Sequence, residues 1–193
     1  MERGVKTKNE GGMYALSAKY FLLFMLISFF GWGFEVLLMR VLYGEWFDRG
    51  WMQLPFCPIY GSSVMAIYFL LGTPDEPRGI LRGITGRVWR ILAYLFFAFL
   101  IPTLAELLVG AFFDEVMHTE LWSYVGMPFS FRGYISLPVS LGWMGLIFVF
   151  MKWLFPLLRK AVMRIPNGVA TLLASTLLVA SVMDVYTSFF GGK

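Results

Sequence analysis

The feature that most constrains this chain is an apolar run that tolerates almost no charge. Between Tyr20 and Met39 the only charged residue is Glu35, and the run belongs to a segment over about residues 19–39. Four more apolar segments follow, over about residues 58–72, 88–113, 134–157 and 168–190. A helix crosses a bilayer with about 20 apolar residues, and only helices and closed barrels satisfy their backbone groups in lipid. Four segments reach that length; the second holds 15 residues and is short for a crossing. The chain is 59% hydrophobic and 15% charged, against about 25% charged in a soluble domain. Its 19% aromatic content suits the membrane interface, where Trp and Tyr collect.

The expected fold is an all-α integral membrane protein of five transmembrane helices. The first segment has Arg3, Lys6 and Lys8 upstream, as a signal peptide would. No A-x-A-like cleavage site follows it, and Glu35 lies within it, so it reads as a retained helix. Lys and Arg alternate between connections. Arg3, Lys6, Lys8 and Lys19 precede the first helix, Arg78, Arg82, Arg87 and Arg90 separate the second from the third, and Lys152, Arg159, Lys160 and Arg164 separate the fourth from the fifth. The other two connections hold only Arg40, Arg49 and Arg132. The positive-inside rule then puts the N-terminus in the cytoplasm and the C-terminus outside the cell membrane. The net charge of +4 is therefore read as orienting charge rather than nucleic-acid contact.

Two stretches share one pattern. "RGWMQLP" from Arg49 and "RGYISLP" from Arg132 both read Arg-Gly-aromatic-x-x-Leu-Pro, each following a helix that carries one glutamate near its outer end. The separations are 49 − 35 = 14 and 132 − 106 = 26, so the second loop is longer by 12. This reads as a duplicated helical hairpin, a parallel repeat, followed by one C-terminal helix. The divisions are a cytoplasmic segment over 1–18, a first hairpin over 19–72, a basic loop over 73–87, a second hairpin over 88–157, and the fifth helix with the C-terminus over 158–193.

Glu35, Glu106 and Asp184 are ionisable groups inside apolar helices, a costly placement that should face the bundle interior. Ser28, Gly31 and Trp32 share a face with Glu35, and Pro102, Thr103 and Gly110 share one with Glu106. Small residues on that face let helices approach closely. Pro102 should loosen the third helix and free a carbonyl. Arg49 and Arg132 are natural partners, either as structural pins on Glu35 and Glu106 or as an anion-binding pair. A proton relay through the three acids is the other reading. Tyr60, Ser62, Ser63, Ser136 and Ser140 stand where the return helices begin, as donors or as caps. Asp184 reads as structural. Cys57 is the only cysteine and His118 the only histidine, so neither an internal disulfide nor a cysteine metal cluster can form, and no metal or cofactor site is read.

"FFGWGFEVLL", "RGWMQLPFCPIYGSS", "LAELLVG" and "LWSYVGMPFSFRGYISLPVSLGW" resemble the CmpB-like ABC-transporter type IV membrane family. The resemblance runs over about residues 20–155, with the fifth helix outside it. The family pattern carries residues that match Glu35, Gly50, Pro58, Tyr60, Gly61, Glu106, Trp122 and Tyr124. The family's Trp-Asp-Tyr-Ser reads Trp122-Ser123-Tyr124-Val125 here, and Pro138 stands where an acid is common, so this chain lacks both of those acids.

The leading expectation is a permease-like or ligand-binding protein with an outward-facing polar site. Its residues are Glu35, Arg49, Tyr60, Glu106, Trp122, Tyr124 and Arg132. A membrane enzyme acting on a lipid head group and a structural subunit of a larger assembly are the alternatives, with no enzyme activity favoured. No G-x-x-x-x-G-K-[ST] motif occurs, so energised transport would need a separate ATPase subunit. The bilayer is the expected partner; a further membrane subunit and a second copy of the chain stay open.

Overall fold

The computed structural model describes residues 2–46 and 52–190. Helices dominate it: α1 (Glu2–Tyr43), α2 (Pro58–Leu71), α3 (Arg87–Glu115), α4 (Leu137–Val149), α5 (Phe155–Met163) and α6 (Asn167–Phe190). A 3-10 turn covers Gly79–Gly83, and a hairpin of two short strands, β1 (Ser130–Phe131) and β2 (Ile135–Ser136), lies in the long connection after α3. Among the described residues, four helical stretches are long and apolar enough to cross a membrane: Gly11–Tyr43, Arg87–Glu115, Leu137–Met163 and Asn167–Phe190. With the shorter apolar α2 they make the expected all-α membrane protein of about five helices. At about 1.5 Å per residue, α2 is about 21 Å long, below the roughly 30 Å of a hydrocarbon core.

α1 begins well before the apolar run, because Glu, Lys and Arg are themselves good helix formers. The helix also ends later than the apolar run, at Tyr43, so Glu35 lies about two turns from its end.

The chain divides into two compact units, residues 1–61 with 157–193 and residues 62–156. In the first, α1 packs against α6. Ala170 and Ala174, one turn apart on α6, are buried, and such small side chains let helix axes come close where lipid offers no hydrophobic drive. The Lys19 ammonium donates to the Met163 carbonyl at 3.2 Å, a cation on the last carbonyl of α5.

In the second unit, α3 packs against α4. Tyr94, Ala98, Pro102, Glu106 and Gly110 are its buried residues, spaced by four so that they form a single stripe. Pro102 does not break α3, which runs unbroken through it. Beside it the Thr103 hydroxyl donates to the Phe99 carbonyl at 2.6 Å. α4 and α5 are joined by a π segment, Phe150–Leu154, in which the Phe155 amide donates to the Phe150 carbonyl five residues back. Pro156 explains the widening: it has no amide to give, and its ring would crowd the Lys152 carbonyl in a regular α-helix.

Candidate functional site

Glu106 is the fourth of the five residues in the buried stripe of α3 and is 7% exposed. A carboxylate inside an apolar helix costs about 2.5–3.5 kcal/mol, which bonded donors must offset. Trp143 Nε1 on α4 donates to Glu106 Oε1 at 2.8 Å, and the Tyr124 hydroxyl, from the long connection, donates to the same oxygen at 3.0 Å. A bond to an ionised acceptor contributes about 1.5–3 kcal/mol, so two are of the size needed. The indole N–H can only donate, which fixes Oε1 as an acceptor. α3, the connection and α4 thus each supply one group.

The hairpin holds Tyr124 in place. The Tyr124 amide donates to the Gly133 carbonyl at 2.8 Å, and Trp122 Nε1 donates to the Tyr134 carbonyl at 3.0 Å. Tyr134 is buried and seats its ring on Gly110 of α3, where a Cβ would come within 3.1 Å. Its hydroxyl donates to Asp114 Oδ2 at 2.6 Å. That bond is the main reason the phenol titrates above its ordinary 10.0; burial and the charges of Asp114 and Glu115 act the same way, and Arg132 opposes them.

Arg132 does not pair with Glu106. Its guanidinium meets Glu115 Oε1 at 3.2 Å, and both side chains are exposed. The reason is the turn. Arg132 and Gly133 both have positive φ, 52 and 77, and the Tyr134 amide closes the turn on the Phe131 carbonyl at 3.1 Å. Successive positive φ values are what a tight hairpin turn requires, and glycine supplies the second without strain. In this copy, Arg-Gly is turn chemistry. The first copy, Arg49 and Gly50, lies outside the described residues.

In the other unit, the Tyr60 hydroxyl donates to Glu35 Oε1. Tyr60 sits in the first turn of α2, and its ring rests on Gly31, one turn before Glu35 on α1. The Cys57 amide donates to the Ser28 carbonyl at 3.1 Å, tying the start of α2 to the same face. Ser28 is fully buried, as the glutamate face requires.

Asp184 on α6 is buried and takes two backbone donors, Gln53 N to Oδ1 and Leu54 N to Oδ2, each at 2.9 Å. It pins the connection before α2 to α6, in agreement with a structural role. Backbone amides leave no mark in a sequence, so this partnership had no signal to read.

Of the expected site residues, the structure brings Glu106 together with Tyr124 and Glu35 together with Tyr60. Trp122 braces the hairpin, Arg132 turns it, and Trp143 joins Glu106 unannounced.

A family model described as "Putative ABC-transporter type IV" matches residues 22–189. The match includes most of α6, so the fifth helix, expected to lie outside the resemblance, lies within it. No curated protein and no solved structure matches the chain.

Proposed function

The chain belongs to that ABC-transporter type IV family, and from this premise we propose a permease-like membrane protein that binds a small ligand or lipid head group within its helices. Each unit offers its own candidate site, Glu106 with Tyr124 and Trp143 in one and Glu35 with Tyr60 in the other. One observation carries the reading: a buried carboxylate inside a 29-residue apolar helix, bonded from a loop and from a second helix at once. Trp143 stands on α4 and Tyr124 on the connection braced by the hairpin, so a ligand donor that replaced the Tyr124 hydroxyl would displace a loop side chain and not a helix.

The separations support a duplicated hairpin. From glutamate to its aromatic donor the distances along the chain are 60 − 35 = 25 and 143 − 106 = 37. They differ by 12, the same twelve residues that separate the two Arg-Gly spacings. Tyr60 and Trp143 thus hold equivalent sequence positions 83 apart, as do Arg49 and Arg132. Both glutamates stand ahead of the sparsely charged connections, which the positive-inside rule assigns to the outer face, with the N-terminus in the cytoplasm. With no P-loop motif in the chain, energy from ATP would come through a separate ATPase subunit.

Native mass spectrometry of the chain extracted in mild detergent tests the reading, wild type beside Glu106→Gln. A discrete bound mass retained by wild type alone is the expected result, and its identity separates solute from lipid. No bound mass in either, with both equally helical, defeats the proposal and favours a structural subunit.

A further inference from the structure

We propose that the connection between α2 and α3 is a docking surface for anionic phospholipid, separate from the glutamate site. Three arginines on it, Arg78, Arg82 and Arg87, are exposed, and between and beside them stand exposed Ile80, Val88 and Trp89. Val88 and Trp89 are each 68% exposed, at the very start of α3. In water this arrangement leaves apolar surface uncovered. At the edge of a bilayer it is favourable, because aliphatic and indole groups sit among the acyl chains while guanidinium groups meet phosphates. The segment joins two apolar helices directly, so it lies at that edge.

The surface is built, not loose. Leu81 is 1% exposed and anchors the 3-10 turn. The Arg78 amide donates to the Leu71 carbonyl at 2.7 Å, and its guanidinium lies 5.0 Å from the centre of the buried Tyr68 ring. Gly72, Gly79 and Gly86 all have positive φ, and a Cβ on Gly72 or Gly79 would collide with backbone carbonyls. Asp75 and Glu76 are also exposed, in the turn before Arg78. Four arginines over 78–90 outnumber these two acids. The first turn of α3 carries no acid and its Gly86 cap offers no side-chain acceptor, so the helix end adds to the positive field instead of cancelling it.

Charge complementarity selects the occupant. A basic residue near an anionic bilayer contributes about fivefold in affinity, so losing two lowers it by about 25-fold. The variant is Arg82→Gln with Arg87→Gln, leaving Arg78 on its ring. The full-length chain in neutral detergent is titrated with fluorescent phosphatidylglycerol or phosphatidylcholine, and binding is read by anisotropy. Wild type should prefer phosphatidylglycerol, and the double variant should lose that preference while binding phosphatidylcholine as before. Equal binding of the two lipids by wild type, or unchanged phosphatidylglycerol binding by the variant, overturns the proposal. Salt gives a reading that needs no variant. Between about 0.01 and 1 M the screening length falls from about 30 to 3 Å, so phosphatidylglycerol binding should fall steeply; a flat response overturns the proposal as well.

Discussion

Gly31→Ala places one methyl group against the base of the Tyr60 ring. A Cβ there lies 2.5 Å from Tyr60 Cγ and 2.6 Å from its Cβ and Cδ2. Carbon atoms in contact rest about 3.5–4.0 Å apart, so Tyr60 must retreat by about 1 Å. The clash meets the root of the side chain, where a rotamer change gives no relief, so the start of α2 must shift. Overpacking of this kind costs about 1–3 kcal/mol. Pulling the hydroxyl from Glu35 adds about 1.5–3 kcal/mol, the size of a bond to a charged acceptor. A combined loss of about 3 kcal/mol or more is expected. Gly33→Ala is the control two residues along the same helix, where nothing lies within 4 Å of the added carbon. Replacing a helical glycine in open space should be neutral or stabilising by up to about 1 kcal/mol. The assay is reversible unfolding in mixed micelles of increasing dodecyl sulfate, followed by circular dichroism. Equal midpoints for the two variants would refute the contact between α1 and Tyr60.

Asp184→Asn removes one of two acceptors facing Gln53 N and Leu54 N and sets an amide donor against a donor. A loss of about 2–4 kcal/mol is expected, with faster hydrogen exchange at the Gln53 and Leu54 amides; unchanged exchange would contradict the pin. Arg132→Ala should change stability by no more than about 1 kcal/mol in the same unfolding assay, since its ion pair with Glu115 is exposed. Gly133→Ala should cost more, because φ is 77 there and a Cβ would sit 2.9 Å from Val125 Cγ2. The reverse order would contradict the reading of Arg132-Gly133 as a turn. Tyr134 should titrate above 10.0, the more so for its bond to Asp114. The sign follows: with the folded-state value raised, its stabilising effect is complete below the unfolded value and is lost as pH climbs through the folded one. Asp114→Asn should lower the midpoint of fluorotyrosine NMR at that position, and an unmoved midpoint would contradict the bond.

Much of this arrangement was legible in apolar periodicity. Lipid forces the backbone to satisfy itself, so long apolar runs could only be helices, and spacing by four put Pro102, Glu106 and Gly110 on one buried stripe. Glu35 and Glu106 stood out because charge is costly there. Their partners were harder to see. Opposite charge pointed to Arg132, but the backbone geometry of Arg132-Gly133 commits that residue to a turn, and neutral aromatic donors reach Glu106 instead. Trp143 had a signal, since the offset of 83 that carries Arg49 to Arg132 also carries Tyr60 to Trp143. Asp184 was readable as structural, though its backbone partners were not. The short hairpin strands left no trace, because two residues are too few to show alternation.

The claim that Glu106 anchors a ligand is tested most directly by imaging the chain in lipid nanodiscs, bound to an antibody fragment for size, by electron cryomicroscopy. Non-protein density within hydrogen-bonding reach of the Glu106 carboxylate, absent from Glu106→Gln, is the result this account predicts. A carboxylate enclosed by protein side chains alone, in maps that resolve Tyr124 and Trp143 on it, would contradict it.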